Sequence, residues 1–473
     1  MTQRQLLHRT ADLAADYLES LDERPVGRPV DLTALRAAMG GAMPDDGIDD
    51  TTVIEDLVAT ADAGLIGDAG PRYFGFVIGG GVPAALAADW LTSAWDQNAG
   101  LYAISPAAAV VEEVAASWLV DLFGLPVGSS VGFTTGATMA SFTALAAGRH
   151  AVLAQAGWNA EEDGLIGAPP IAVVVGEEAH VTIFASLQML GLGRGRVHRV
   201  AADAQGRMRP DALSDVLSTL DGPVLVCAQS GNVNTGGFDP LPDIVAAVRR
   251  LPNAWLHVDG AFGLWAAAAP SLRHLVAGLG DADSWTTDAH KWLNVPYDSG
   301  IVVVRDPKAH RAAMTLGAAY YVETEGGERD NYNWVAESSR RARGFAVHAA
   351  LRSLGRRGLA DMIERGCTLA RRMAGSLDAV EGVEILNDVV LNQVLVRFVA
   401  PDGDSDGLTR RVIAAVQQDG TCWLGGTTWH GMAAMRISVS NWRTTEADAD
   451  LSVAAILRCR EAVLEVRAGA GTS

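Results

Sequence analysis

The sequence predicts an α/β protein with a mostly parallel central sheet, followed by a smaller α+β domain. From about residue 107 onwards, short continuous apolar runs such as "IAVVVG" and "PVLVCAQ" alternate with helical segments. Strands that are apolar along their whole length and separated by helices are typical of a parallel sheet covered on both faces. After about residue 345 a long helix precedes further strands and helices, which indicates a second, smaller domain.

Helical periodicity dominates the chain before the sheet. "RQLLHRTADLAADYLESL" carries apolar residues at helical spacing, and "DDTTVIEDLVATADAGL" begins with Asp and Thr residues that cap helices. We predict an N-terminal helical segment over residues 1–75, a large domain over 76–344 and a small C-terminal domain over 345–473.

The large domain contains the strands of the predicted sheet. In order, they lie in "SVGFTTG", "PIAVVVGEEAH", "RVHRVAAD", "PVLVCAQSG", "AWLHVDGAFG", "ADSWTTDAHKW" and "GIVVVRD". Ligands of open parallel sheets bind at the carboxyl ends of the strands. The residues that follow each strand are therefore the candidates for a functional site.

Composition and charge exclude several classes of protein. The chain has 473 residues, of which 49% are hydrophobic and 20% charged, with a formal charge of −19. The apolar fraction excludes a disordered chain, and the acidic balance argues against a nucleic-acid or anionic-membrane partner. No apolar run approaches the roughly 20 residues of a membrane helix, and the polar start lacks the apolar core of a signal peptide. The four cysteines stand far apart without zinc or disulfide spacing, so we expect a cytoplasmic protein.

A turn of small residues follows the first strand of the large domain. In "FTTGATMAS", Gly136 and Ala137 let the backbone approach a ligand, and the N–H groups at the start of the next helix can hold an anion. Thr138 adds a hydroxyl group. An ordinary strand-to-helix turn with a threonine cap explains the pattern equally well.

Two polar side chains end apolar strands. His180 follows "IAVVVGEEA" and would stack on a planar ligand, although a helix-capping or core histidine is the simpler interpretation. Asp259 ends "AWLHVD", where a carboxylate needs a partner or a role because burying it unpaired is expensive. His257 points the same way as Asp259. No further residues are spaced to complete a metal site, so we expect no metal.

Lysine is almost absent from the chain. Only two of the 37 basic residues are lysines, Lys291 and Lys308. Lys308 lies in "RDPKAHR" and is expected in a solvated turn, whereas Lys291 lies between Trp285 and Trp292. Arginine stays protonated, while a desolvated lysine can act as a neutral amine nucleophile, so Lys291 is the candidate for covalent chemistry. Chance retention of this lysine is the alternative.

Pyridoxal 5'-phosphate requires the four groups that these motifs offer: a phosphate cradle, a stacking ring, a buried carboxylate and a nucleophilic amine. The amine forms a Schiff base with the cofactor. The carboxylate keeps the pyridine nitrogen protonated, so that the ring accepts electrons from the substrate. The sequence therefore predicts a pyridoxal-phosphate enzyme.

With these motifs the sequence resembles the pyridoxal-phosphate-dependent group II amino acid decarboxylases, which include the aromatic amino acid and glutamate decarboxylases. The resemblance covers most of the chain and rests on the blocks "PRYFGFVIGG", "TTGATMASFTAL", "GNVNTGGFDPL", "HVDGAFG", "DAHKW", "SRRARGFAVHAALRSLG" and "MRISVSNW". It implies the fold type I architecture of aspartate aminotransferase. It also implies an obligate homodimer with active sites at the subunit interface, around which residues 1–75 wrap.

The resemblance further implies roles for individual residues. Lys291 would form the Schiff base, Asp259 would pair with the pyridine nitrogen and His180 would stack on the ring. The phosphate would be held by Gly136, Ala137, Thr138 and His290. The surroundings of the ring would be formed by Ala261 with Asn234 or Thr235. In the glutamate members the arginine of a block such as "MRISVSN" holds the substrate carboxylate, a position that Arg436 occupies here.

The chain departs from the family pattern at two positions near the site. Met139 stands where the family often has glutamate. Asp288 and Ala289 stand where Asn-Pro often precedes His-Lys. We expect neither change to touch the core chemistry.

A third departure concerns the tyrosine of a mobile loop, which decarboxylating members contribute across the dimer to return a proton to Cα. The matching loop, "GAAYYVETEGGERDNYNWVAESSRR", offers Tyr320, Tyr321 and Tyr332. Tyr332 lies nearest the family position, with an offset of one residue. Replacement of this tyrosine in the family is associated with a switch toward aldehyde formation.

The sequence thus predicts decarboxylation of an L-amino acid to its amine and CO2, with Lys291, Asp259, His180 and Tyr332 as catalytic residues. Phe74 and Phe76 would line a pocket for an aromatic or apolar substrate, although core packing explains them equally well. Transamination, or oxidative deamination to an aldehyde, is the alternative chemistry. A catalytically silent homologue acting as a binding subunit is the alternative class, and the intact catalytic set argues against it.

Overall fold

The computed structural model of the protein describes residues 1–315 and 328–470. Its α-helices are α1 (Gln3–Ser20), α2 (Leu32–Met39), α3 (Asp50–Ala61), α4 (Pro83–Trp95), α5 (Pro106–Leu122), α6 (Ala137–Gln155), α7 (Ala160–Asp163), α8 (Val181–Met189), α9 (Pro210–Leu217), α10 (Leu241–Val248), α11 (Pro307–Met314), α12 (Gly344–Asp378), α13 (Ser405–Asp419) and α14 (Glu446–Ala470). Its strands are β1 (Ser130–Thr134), β2 (Ala172–Gly176), β3 (His198–Val200), β4 (Val224–Gln229), β5 (Ala254–Asp259), β6 (Ser284–Asp288), β7 (Gly300–Val304), β8 (Val383–Ile385), β9 (Gln393–Phe398), β10 (Gly425–Trp429) and β11 (Met432–Ser438). In the described part of the chain, no helix combines the length and apolar character needed to cross a membrane.

The chain divides into two compact units. One contains Met1–Ile78, Arg372–Ile385 and Leu395–Ser473, and the other contains Gly79–Arg371 and Leu386–Val394. The three-part division expected from the sequence, with boundaries after residues 75 and 344, stays a prediction.

Within the described residues, seven strands form the central sheet of the larger unit, in the order β1-β7-β6-β5-β4-β2-β3. The pairs from β6 through β5, β4 and β2 to β3 are parallel, whereas β7 is antiparallel to both β1 and β6. A mostly parallel sheet is therefore confirmed. No α-helix intervenes between β6 and β7, and a connection without a crossover helix allows them to pair antiparallel.

The register of the sheet brings the ends of distant strands together. Gly300 at the start of β7 pairs with Thr134 at the end of β1 and with Asp288 at the end of β6. A Cβ on Gly300 would lie 2.4 Å from Gly136 Cα, so glycine permits the close approach of the turn after β1. The turn before α6 and the end of β6 therefore meet at one edge of the sheet.

A second sheet has the order β10-β11-β9-β8, in which β10 pairs antiparallel with β11 and β8 with β9. Several elements were not predicted from the sequence, among them α4, α11, β8 and β10. The turn predicted at Lys308 is wrong, because this residue lies in the first turn of α11, which Asp306 caps by accepting the Lys308 N–H at 2.9 Å. Lys308 is exposed, as expected.

Candidate active site

Asp259 ends β5 at the carboxyl edge of the central sheet. The residue is only 4% exposed, and its Oδ1 accepts a hydrogen bond from the Ala261 N–H at 3.1 Å. Burial raises the pKa of this carboxyl group above its usual range, and the nearby charges of His180 and Lys291 partly offset that effect. Such a buried carboxyl group favours a cationic or proton-donating partner.

Lys291 follows β6 at the same edge. Its Nζ lies 3.0 Å from Asp288 Oδ2, and its side chain is 19% exposed. The flanking Trp285 and Trp292 are fully buried. The amine is therefore mostly shielded from solvent and lies beside the Asp288 carboxylate, a position that is compatible with the predicted covalent chemistry.

The start of α6 adjoins Asp288. Gly136 is the N-cap residue and supplies no side-chain cap. Instead the Ala137 N–H donates to Asp288 Oδ1 at 2.6 Å. Thr138 follows as the second residue of the helix. The turn expected to hold a phosphate exists, but within this chain a carboxylate binds its first helical N–H group.

His180 is the N-cap of α8. Its Nδ1 accepts a hydrogen bond from the Thr182 N–H at 3.4 Å, and the Thr182 hydroxyl lies 2.7 Å from the same atom. The ring also lines a small pocket together with Asp259. The capping interpretation is correct, and it is compatible with stacking because capping uses the ring edge rather than the ring face.

His290 is buried next to the Asp288 carboxylate. Its Nδ1 accepts a hydrogen bond from the Ser299 N–H at 3.1 Å, and the ring stacks on Tyr297 at 4.3 Å between centroids. Burial lowers the pKa of His290, which favours the neutral ring. With Nδ1 accepting, the neutral ring carries its proton on Nε2, which lies 3.5 Å from Asp288 Oδ1.

Ala261 connects the ends of two neighbouring strands. Its N–H donates to Asp259, as described above, and its carbonyl oxygen accepts a hydrogen bond from the Asp288 N–H at 2.8 Å. The backbone here therefore sets the spacing between the two carboxylates.

Asn234 and Thr235 lie in the loop after β4. The Thr235 hydroxyl donates to the Gln205 carbonyl at 2.6 Å and accepts the Gly237 N–H at 3.0 Å, so it stabilises the loop itself. The Asn234 N–H donates to Asn232 Oδ1 at 2.8 Å, and Asn234 is half-buried. The choice between Asn234 and Thr235 stays a prediction.

The predicted substrate residues lie in the smaller unit. Phe74 is only 1% exposed, and its N–H donates to the Trp423 carbonyl at 2.8 Å, so its side chain contributes to the core. Phe76 is 61% exposed and packs on Trp423, which also stacks on Tyr73. Arg436 lies in β11, where burial lowers the pKa of its guanidinium group. Their roles in substrate binding stay predictions.

The tyrosines proposed as proton donors fall in two groups. Tyr320 and Tyr321 lie outside the described residues. Tyr332 lies in a 3-10 turn, Asn331–Trp334, where it is 2% exposed and its N–H donates to the Gly100 carbonyl at 2.9 Å.

Two residues at this site were not recognised from the sequence. Asp288, which we expect not to touch the core chemistry, contacts both Lys291 and Ala137. Its sequence signal is a carboxylate at the end of a strand, as at Asp259. Gly79 lies so close to the Lys291 carbonyl that a Cβ would come within 1.8 Å of the oxygen. The signal for Gly79 is the glycine run in "VIGGG".

The pyridoxal-dependent decarboxylase conserved domain matches residues 33–399 of the chain. The chain belongs to the pyridoxal-dependent decarboxylase family. Membership assigns pyridoxal 5'-phosphate as the cofactor and decarboxylation of an amino acid as the class of reaction, as predicted.

Individual relatives agree with this assignment, and a solved structure shares the fold. L-2,4-diaminobutyrate decarboxylase from Rhizobium meliloti (strain 1021) is 31% identical over 370 residues, which cover 76% of this chain and 72% of that protein. Aromatic-L-amino-acid decarboxylase from Bacillus atrophaeus is 25% identical over 453 residues, covering 93% and 92%. The crystal structure of Oryza sativa TDC with PLP and tryptamine matches with a TM-score of 0.91 at 22% identity and covers 98% of both chains. The fold type I architecture is thus confirmed.

The residues at the carboxyl edge fit this cofactor. Lys291 offers an amine, Asp259 offers a buried carboxylate for the ring nitrogen, and His180 offers a ring in the same pocket. The start of α6 offers N–H groups for a phosphate. One feature departs from a simple phosphate site, since Asp288 already accepts the Ala137 N–H.

Proposed function

We propose that this decarboxylase acts on an aromatic or apolar L-amino acid, with Lys291, Asp259 and His180 as its central catalytic residues. The observation that carries the assignment of residues is their convergence at the ends of β6, β5 and β2, with Asp259 and His180 lining one pocket. When bound, pyridoxal phosphate supplies an electron sink for the carbanion that loss of CO2 leaves on the substrate.

Each residue has a distinct task in this proposal. Lys291 would hold the cofactor covalently through its Nζ. Asp259 keeps a proton on the ring nitrogen, for which its burial is suited because a desolvated carboxylate holds a cation strongly. His180 packs on the ring and excludes water. The phosphate and the ring edges are held by Gly136, Ala137, Thr138, His290, Ala261, and Asn234 or the backbone of Thr235.

A tyrosine returns the proton to the substrate Cα. Tyr332 was the first choice from the sequence, but its side chain is buried in a folded turn. That burial favours Tyr320 or Tyr321 as the donor, because the proton donor must reach a substrate atom to within hydrogen-bonding distance. The role of Tyr332 as proton donor stays a prediction. Substituting each of the three tyrosines separately would show which of them donates the proton.

The aromatic cluster of the smaller unit supports an aromatic or apolar substrate. Phe76 and Val77 adopt left-handed backbone conformations with φ of 51° and 60°. Such conformations are costly for non-glycine residues, and they persist mainly at functional positions. The strained backbone presents the exposed Phe76 ring on the Trp423 ring, 5.7 Å between centroids.

We expect a panel of L-amino acids to reveal this preference. With the purified holoprotein, aromatic and large apolar amino acids should give amine and CO2 in equal amounts. Their kcat/KM should exceed that for glutamate and 2,4-diaminobutyrate by about tenfold or more, since an apolar pocket leaves a charged side chain without partners. Phe76→Ala should raise KM for the aromatic substrates, whereas the control Leu451→Ala, at another exposed apolar residue of the same unit, should not.

The products decide between the chemical alternatives. Preference for acidic or diamino substrates would contradict the substrate class and would favour Arg436 as the specificity residue. A keto acid would establish transamination, and an aldehyde with ammonia would establish oxidative deamination. A protein that retains cofactor but converts none of the panel would be a silent binding subunit.

We also propose a homodimer in which the N-terminal segment wraps around the second subunit. Within this chain α1, α2 and α3 bury none of their residues, although α1 and α2 are amphipathic. In the larger unit, α4 exposes Trp90, Leu91 and Trp95 on its surface. Exposed apolar groups of this size are typical of interfaces between subunits.

Light scattering on the purified protein tests the dimer. The expected mass is twice the 49.6 kDa of one chain. Leu91→Asp should shift the protein to monomers and weaken activity, because it places a charge in the apolar contact. Ile166→Asp, at an isolated exposed residue, should leave the dimer intact. A monomeric, fully active wild-type protein would contradict the proposal.

We also propose that the protein is located in the cytoplasm. Cys227, Cys367, Cys422 and Cys459 are all buried as free thiols. Free thiols persist in reducing compartments, whereas secreted proteins usually pair them.

A further inference from the structure

Asp288 is a buried carboxylate that no step of the proposed reaction uses. Its Oδ2 lies 3.0 Å from Lys291 Nζ, and its Oδ1 accepts the Ala137 N–H at 2.6 Å. The Asp288 side chain is only 3% exposed, so water competes little for these contacts. One carboxylate therefore links the reactive amine to the helix start that would bind a phosphate.

The backbone of Asp288 is held from two sides. Its N–H donates to the Ala261 carbonyl at 2.8 Å, and its own carbonyl accepts the Trp265 Nε1–H at 3.0 Å. The backbone of Asp288 is therefore fixed at the sheet edge, and the side chain remains the part that can move.

Charged and titratable groups surround this carboxylate. Lys291 is the cationic neighbour, and the neutral His290 presents its Nε2 at 3.5 Å. Asp259 is an anionic neighbour, since the charge of Asp288 contributes to the raised pKa of Asp259. A further anion at the same place would meet two carboxylates.

A cofactor phosphate and Asp288 would compete for the same helix start. The N-terminus of a helix stabilises an anion through its free N–H groups and its dipole, and the effect falls off within the first turn. Two anions at one N–H group repel each other. The phosphate can therefore bind fully only when the carboxylate leaves the Ala137 N–H.

We propose that Asp288 is a positioning residue that occupies the phosphate site and holds the Lys291 ammonium ion until the cofactor displaces it. This inference rests on the proposed placement of the phosphate at the start of α6. Asp288 stabilises the cofactor-free chain by capping α6 and pairing Lys291. The contact with Ala137 weakens binding of the phosphorylated cofactor, because this contact is lost when the phosphate enters.

The test compares two aldehydes that differ only in the phosphate. Wild type, Asp288→Asn and the control Asp298→Asn are freed of cofactor with hydroxylamine and titrated with pyridoxal 5'-phosphate and with pyridoxal, followed by absorbance. Asp298 is a suitable control because it lies near His290, is 44% exposed and pairs with Arg343 instead. Binding of inorganic phosphate alone is measured by calorimetry.

Asp288→Asn should tighten the Kd of pyridoxal 5'-phosphate by about tenfold, a typical effect of one charge at a partly buried helix end. The Kd of pyridoxal should change much less, and inorganic phosphate should bind more tightly to the variant. The Tm of the cofactor-free variant should fall by about 2 to 4 °C, while that of the loaded variant should not. Asp298→Asn should leave the ratio of the two Kd values unchanged.

An unchanged ratio in Asp288→Asn, or weaker binding of pyridoxal 5'-phosphate than of pyridoxal, would overturn the inference. Asp288→Ala must give the same sign, and it replaces the asparagine variant if that variant does not fold. Failure of wild type to form a lysine-bound species with either aldehyde would instead overturn the proposed role of Lys291. The two failures are therefore distinguishable.

Discussion

Replacing Lys291 by alanine should remove the visible absorbance of the lysine-bound cofactor and lower kcat/KM by about four orders of magnitude. Lys291 is the one lysine at the carboxyl edge of the sheet among the described residues, and its Nζ lies mostly buried beside Asp288. Arginine cannot take over this step because it stays protonated. Absorbance spectra and steady-state rates measure the two effects.

Lys308→Ala is the matched control for this substitution. Lys308 is exposed, and its part in capping α11 uses the backbone N–H, which alanine keeps. The control variant should bind cofactor and turn over substrate like wild type. An unchanged spectrum in Lys291→Ala, or loss of the spectrum in Lys308→Ala, would refute the assignment.

Asp259→Asn should lower kcat by about a thousandfold while the cofactor remains attached to Lys291. The asparagine side chain has nearly the same size, but it cannot hold a proton on the ring nitrogen. The ring then loses its capacity to take up electrons from the substrate. A retained absorbance band together with the loss of turnover distinguishes this effect from simple loss of the cofactor.

Asp283→Asn provides the comparison, because Asp283 is a mostly buried carboxylate at the opposite end of β6. It accepts the Leu256 N–H at 2.7 Å and pairs with Arg249 at 2.9 Å. Its loss should lower the Tm and leave kcat nearly unchanged. If both variants lose activity to the same extent, a specific role of Asp259 at the ring nitrogen is wrong.

The sequence was informative where a polar residue ends an apolar strand. Asp259 and His180 were found this way, since the carboxyl ends of parallel strands meet at one edge. Lys291 was found from the near absence of lysine in the chain. The sequence could not show whether β7 runs parallel or antiparallel to its neighbours, because an apolar run such as "GIVVV" fits either orientation. The contact of Asp288 with Ala137 could not be predicted from the sequence for a related reason. These residues are 151 positions apart and meet only through the pairing of β1, β7 and β6.

The sequence also could not predict which individual aromatic residues are buried. Phe74 and Phe76 stand two positions apart in "YFGFV", yet one is buried in the core and the other is exposed on Trp423. The left-handed backbone at Phe76 and Val77 produces this difference, and no local pattern predicts it. Tyr332 likewise occupies the part of its loop that folds into a buried turn.

The most direct test of the central claim is to identify the lysine that carries the cofactor. Reduction of the purified holoprotein with sodium borohydride makes the bond between cofactor and lysine permanent, and peptide mass mapping then locates it. The account predicts one pyridoxyl adduct, on the peptide that contains Lys291 in "DAHKW". An adduct on Lys308, or no adduct on a fully loaded protein, would contradict it.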